Sequence, residues 1–134
     1  MKNYFIGLSA LALCFVAFLG ACKDDEIDTE KPVITLMEPS AGDTISLADE
    51  DSIHIEFSVS DNDGVHGVNV SVLDATSGVS VYSSENHAET NLYNFHDHFV
   101  PTNVTQLKPY TLVIDASDHS ENMTNLTTTF YLQQ

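Results

Sequence analysis

The pattern that most restricts this chain is a period of two. Ile53, Ile55, Phe57 and Val59 alternate with His54, Glu56, Ser58 and Ser60. Successive side chains of an extended strand point to opposite faces, so this run has one apolar and one polar face. The pattern returns at Val68, Val70 and Val72, at Tyr110, Leu112, Ile114 and Ala116, and at Leu126, Thr128, Phe130 and Leu132. Pro32 to Met37 reads as a first strand, closed by Pro39 and an Ala41-Gly42-Asp43 turn. Asp61-Asn62-Asp63-Gly64 reads as a turn, and Ser77-Gly78 leads into a short strand from Val79 to Tyr82. After a polar loop over 84–91, Leu92 to Val100 forms a fifth strand stopped by Pro101. No segment of this region holds helical spacing. Seven short strands punctuated by turns, in roughly a hundred residues, predict an all-β, two-sheet antiparallel sandwich. An eight-stranded barrel is the second choice, and it needs longer strands and more chain.

The first residues are of another kind. Lys2 precedes an apolar run from Tyr4 to Phe18, and Leu19-Gly20-Ala21-Cys22 follows. That is the layout of a secretory signal peptide, and the run is too short for a membrane span of about 20 residues. Cleavage before Cys22, which the resemblance of Leu19-Gly20-Ala21-Cys22 to a bacterial lipobox implies, divides the chain into a signal peptide (1–21), an acidic tether (22–30) and a strand domain (31–134). It also removes Cys14, so the domain is expected to have no disulfide and no cysteine metal site. Three Lys, no Arg and twenty Asp and Glu then leave a mature charge of −17. A chain so acidic does not neutralise phosphates, so nucleic acid is excluded as a partner.

Leu19-Gly20-Ala21-Cys22 resembles a bacterial lipobox. The resemblance implies acyl chains, palmitate among them, on Cys22, and attachment to the outer membrane through them. One chain alone binds a membrane only marginally, at about 0.8 kcal/mol per buried CH₂, and the multiply acylated cysteine of lipoproteins meets that need. Lys23-Asp24-Asp25-Glu26 resembles the export signal of Bacteroidota surface lipoproteins, which implies an outward-facing domain, with a periplasm-facing one as the alternative.

Leu107-Lys108-Pro109-Tyr110 is similar to the corner of fibronectin-type and immunoglobulin-like domains, where a tyrosine hydroxyl bonds back to the backbone. Asp115-Ala116-Ser117-Asp118 with Glu121-Asn122 is similar to the strand end and turn of bacterial immunoglobulin-like domains, without the Gly before Asn122. With the lipobox, the acidic tether, Lys31-Pro32, the Asp61–Gly64 turn and the histidine-containing fifth strand, the chain resembles an uncharacterised family of Bacteroidota lipoproteins with one immunoglobulin-like domain.

Two constellations are candidate sites. In immunoglobulin order the loops at 61–64, 84–91 and 117–122 share one pole with the tether, collecting Asp61, Asp63, Glu85, Glu89, Asp115, Asp118 and Glu121. Calcium takes 6–8 oxygen ligands, and Asp61, Asp63, Asp115 and Asp118 are its candidate ligands here. The same residue types serve any turn, for their tolerance of unusual backbone angles. The second constellation is His96-Asp97-His98, whose imidazoles share one strand face as half of a tetrahedral zinc or copper site. His87 is the first choice for a third ligand, with His54, His66, Glu85 and Glu89 as others. Asp97 has inward parity, which marks a bulge or the rim of the sheet. The bland reading is two exposed histidines.

Thr44 and Ser52, each within an Asp-Ser/Thr-aliphatic triplet, resemble the O-glycosylation sequon of Bacteroidota secreted proteins. Asn69, Asn103, Asn122 and Asn125 begin Asn-x-Ser/Thr triplets that a Thr-rich strand composition supplies by itself. The mature part has no cysteine nucleophile, no Gly-x-Ser-x-Gly elbow and no Gly-rich phosphate loop. The expectation is therefore a non-catalytic, lipid-anchored binding module engaging an envelope protein or glycan, with no cofactor required. A metal-binding lipoprotein (zinc or copper at His96 and His98, or calcium at the acidic pole) and a structural spacer are the alternatives.

Overall fold

A computed structural model describes residues 27–134. The signal peptide over 1–21, Cys22 and the Lys23-Asp24-Asp25-Glu26 signal lie outside the described residues. The described chain is all-β: β1 (Val33–Glu38), β2 (Thr44–Ser46), β3 (Ile53–Asp74), β4 (Ser80–Phe99), β5 (Lys108–Asp118) and β6 (Met123–Gln133). They form one six-stranded sheet in the order β1-β3-β5-β6-β2, with β4 paired to β3. All pairings are antiparallel except the three-residue β2, which runs parallel to β6.

The expected sandwich is realised as a curled sheet, with fewer and longer strands than seven. The Asp61–Gly64 turn falls inside β3, and the expected polar loop over 84–91 falls inside β4. The first half of β3 lies between β1 and β4, and its second half between β4 and β5. At the junction the register breaks twice. Residues 61–64 of β3 fall between the pairs Ser60↔Leu92 and Val65↔Thr90, opposite the single Asn91 of β4. Then Ala88 and Glu89 of β4 fall opposite the single His66. Extra residues on one strand bend it and increase its twist. The inward parity changes with them, from Ile53, Ile55, Phe57 and Val59 to Val68, Val70 and Val72, all at most 2 % exposed.

The sheet thereby closes over its own apolar face. Phe57 stacks on Phe95 at 4.8 Å and Tyr110 on Phe130 at 6.0 Å. Leu112, Ile114 and Leu132 are fully buried in the same core. Each such side chain contributes about 1.5–3 kcal/mol on burial. The bend also brings the two ends of β4 together. The Tyr82 hydroxyl donates to Asp97 Oδ2 at 2.6 Å, and the Tyr82 and Phe99 rings lie 5.4 Å apart. This answers the inward parity of Asp97: it sits on the rim strand, in regular register opposite Ile55, with no bulge at that point. The corner tyrosine differs from expectation. Tyr110 is 2 % exposed, yet among the described residues its hydroxyl has no backbone partner; Lys108 Nζ lies 5.8 Å from its ring instead.

Candidate functional site

All six histidines of the chain fall into two groups of three. His54 on β3 pairs directly with His98 on β4, and His96 lies two residues before His98 on the same face. Their ring centroids are 5.2–5.7 Å apart, and one nitrogen from each lies within 4.8 Å of the others. All three are exposed. None of the three rings has a hydrogen-bond or ion-pair partner among the described residues, so their lone pairs are free for a ligand. Beside His54 runs a shallow groove lined by Glu38, Pro39, Asp43, Ile45 and Glu50, a local concentration of carboxylates that attracts cations.

The third partner of His96 and His98 is thus His54, by cross-strand register, and the expected third ligand lies elsewhere. His87 sits opposite Gly67, against His66 at a ring separation of 4.4 Å; His119 is 4.9 Å from His66. Glu89 joins this second group: His87 Nε2 donates to its Oε1 at 2.7 Å and His119 Nε2 to its Oε2 at 2.9 Å. His119 Nδ1 also faces an acceptor, the Gly64 carbonyl, at 3.1 Å. Only the imidazolium satisfies two acceptors at once, and Glu89 accordingly holds the His119 pKa above the ordinary histidine value. The Glu89 carboxyl is in turn held below its ordinary range, chiefly by His119 and then His87. His66, Glu89 and His119 have metal-ligand spacing too. Here both nitrogens of His119 and Nε2 of His87 are already committed to acceptors, with His66 Nδ1 4.0 Å from Glu89 Oε1.

The same bulge builds an acidic pole. Asp61 Oδ1 accepts from the backbone of Asp63 and Gly64 at 2.9 and 3.0 Å, and Asn91 Nδ2 donates to the carbonyls of Asp61 and Asn62. Asp118, 2 % exposed at the end of β5, accepts from the backbone and the side-chain amide of Asn122, both at 2.7 Å. Asp28 arrives from the tether. Its Oδ1 accepts from Asn62 Nδ2 and its carbonyl from Asn122 Nδ2, each at 3.1 Å. One carboxylate oxygen from each of Asp28, Asp61 and Asp118 lies within 4.8 Å of the other two.

Of the four expected calcium ligands, the pole therefore unites Asp61 and Asp118. Asp63 is at its margin, accepting from Ser120 Oγ at 3.0 Å. Asp115 lies outside it, in mid-strand, where it accepts from Asn125 Nδ2 at 2.8 Å. Glu85 is likewise in mid-strand, opposite Asn69. Thr44 is exposed on β2, and Ser52 is half-buried just before β3. Asp28 and His119 are the participants that sequence reasoning missed: each lies far along the chain from its partners, and the pairing of β3 with β1 brings in Asp28 as its pairing with β4 and β5 brings in His119.

The chain belongs to the family described as a domain of unknown function, DUF4625, which matches residues 20–132. No curated protein matches it.

Proposed function

We propose that this chain is a lipid-anchored, non-catalytic module of the outer membrane, facing outward, that captures a divalent transition metal. The convergence of His54, His96 and His98 carries this reading, with donor atoms within 4.8 Å of one another. Imidazole suits zinc and copper, and three such ligands leave a fourth position open. An open position suits a site that takes up and hands on its ion. The acidic groove beside His54 raises the local concentration of cations. The Leu19-Gly20-Ala21-Cys22 junction supports the lipid anchor, and the family match, beginning at residue 20, takes the tether in. The strand neighbours support an immunoglobulin-like domain: β1, the first half of β3 and the second half of β4 on one side, with β5 and β6 beside the second half of β3 on the other.

Calorimetric titration of the mature chain, carried as Cys22→Ser to keep it soluble, with zinc and with Cu(II) tests the metal reading. One site of micromolar affinity or better is expected. His54→Ala and His96→Ala/His98→Ala remove it, and His87→Ala leaves it in place. No binding in that range overturns the proposal. Protease treatment of intact cells tests the orientation, which fails if the domain survives until the outer membrane is broken.

A protein partner is the second reading, and one observation favours it: among the described residues, the 20-residue β4 pairs as a strand with β3 alone. A bare edge of this kind accepts an added strand. Binding of that kind survives loss of the histidine triad.

A further inference from the structure

We infer that Asp28, Asp61 and Asp118 form a calcium site that clamps the tether to the pole of the domain. Three carboxylates with one oxygen each inside a 4.8 Å span repel one another unless a cation sits among them. Neither lysine of the described chain supplies the charge in an ion pair with them; Lys108 is bonded to Asp74 instead. The independent sign of a missing ligand is the state of the oxygens. Asp61 is 9 % exposed, and its Oδ2 is buried with no hydrogen-bond partner; Asp28 Oδ2 is in the same condition. A buried carboxylate oxygen left without a donor is costly, and a bound ion is one of the few things that relieves it.

The donor chemistry selects the ion. Every side-chain ligand is an oxygen, which suits hard cations and disfavours zinc and copper. Calcium bonds oxygen at about 2.3–2.6 Å in flexible geometry, which suits carboxylates gathered from separate loops, whereas magnesium at about 2.0–2.1 Å demands near-ideal octahedral geometry and keeps its waters. Asn122 Nδ2 donates to both Asp118 Oδ2 and the Asp28 carbonyl, and so holds the two residues side by side. Backbone carbonyls and water complete a shell of about 6–8.

Asp28 gives the site its consequence. It lies only six residues beyond Cys22, and it already accepts from Asn62 and Asn122 of the pole. An ion shared by Asp28, Asp61 and Asp118 makes a fixed joint between residue 28 and the pole. In a chain anchored at Cys22, the joint sets the direction in which the histidine triad is held relative to the membrane. The calcium site itself does not depend on the metal reading of that triad.

The test uses the mature chain as Cys22→Ser, stripped with chelator and titrated with calcium chloride alone, alongside a second preparation that also carries His54→Ala/His96→Ala/His98→Ala. Calcium is expected to bind both with a Kd of about 0.1–1 mM, the range of extracellular modules. At tenfold excess over that value, Tm rises by about 5–10 °C. Glu-C cleavage after Glu30, followed by mass, slows in the same titration because the tether is held. Asp28→Asn is the discriminating variant. In chelator it leaves Tm unchanged or raises it, by relieving repulsion, and in calcium it loses about tenfold or more in affinity together with the protection of Glu30. Three results overturn the inference: no calcium-dependent change of Tm up to about 5 mM, an Asp28→Asn variant that keeps the full response, or an equal response to magnesium. Loss of calcium binding with zinc binding intact, or the reverse, separates failure of one site from failure of the other.

Discussion

Asp74 closes the hairpin between β3 and β4 with a single carboxylate. Its Oδ1 accepts from the backbone of Thr76 and Ser77, and its Oδ2 meets Lys108 Nζ at 2.6 Å. The Lys108 ammonium, with the two backbone donors, lowers the Asp74 pKa to about 2. A carboxylate depressed in the folded state contributes stability that is fully present above its unfolded value of about 3.9 and is lost as pH falls through about 2. Asp74→Asn keeps the turn acceptor and removes the charge, so urea unfolding at pH 5, 3 and 2 should show a shallower loss of stability across that window than in the parent chain. An unchanged acid slope would remove Asp74 from the account. Glu121 presents a different residue-scale defect. It has φ of 66°, the left-handed region that glycine enters without steric cost. A side chain there costs roughly 1–2 kcal/mol, offset in part by the entropy that glycine adds to the unfolded chain. Glu121→Gly should therefore stabilise by about 0.5–1 kcal/mol. Glu121→Ala, which removes the charge but keeps the strain, should not, and chemical denaturation of the two variants separates backbone strain from charge.

At the scale of the element, the bend of β4 is held by a contact between its own ends. Tyr82 and Asp97 are 15 residues apart, and the Tyr82 hydroxyl donates to Asp97 across the curl at 2.6 Å. Burial, with help from Asp97, raises the Tyr82 pKa to about 12, so the donor stays protonated throughout the neutral range. Tyr82→Phe keeps the ring against Phe99 and leaves Asp97 with only the His98 backbone donor. The cost of stranding that carboxylate should be about 1–3 kcal/mol, read as a fall in the urea midpoint. Tyr82→Phe/Asp97→Asn should recover part of it. The same strand marks the limit of what the sequence made legible. Its second half was clear because Tyr93, Phe95 and Phe99 alternate with polar residues against a packed face. Its first half was not, because a rim strand needs only backbone bonds to β3 and tolerates Ser83, Ser84 and Glu85 where an interior strand would need apolar residues. Asp61-Asn62-Asp63-Gly64 offers the same chemistry to a reversing turn and to a bulge, so composition did not distinguish them. The pairing of His96 with His98 was legible from spacing alone. Their meeting with His54 depended on cross-strand register, which the short-range pattern does not encode.

For the whole molecule the governing quantity is charge. Residues 27–134 hold two lysines against seventeen Asp and Glu, and the only lysine–carboxylate bridge among the described residues is Lys108–Asp74. Self-repulsion on this scale opposes the compact state, and it is concentrated at the groove beside His54 and at the Asp28–Asp61–Asp118 pole. The two places lie at opposite ends of the first half of β3, seven residues apart from His54 to Asp61, or about 23 Å along an extended strand. Monovalent salt should therefore stabilise the metal-free protein. Raising ionic strength from about 0.01 to 0.15 M shortens the screening length from about 30 to 8 Å and removes most of the repulsion between the two regions. The Tm of the chelator-treated chain should rise over that range, and the rise should be smaller once calcium has neutralised the pole. Zinc and calcium, acting at sites so far apart, should raise Tm by amounts that add within error. A Tm that falls with salt would mean that the ion pairs of Asp74 and Glu89 outweigh the surplus of carboxylates. A calcium response unaffected by salt would mean that repulsion at the pole is not what the ion relieves.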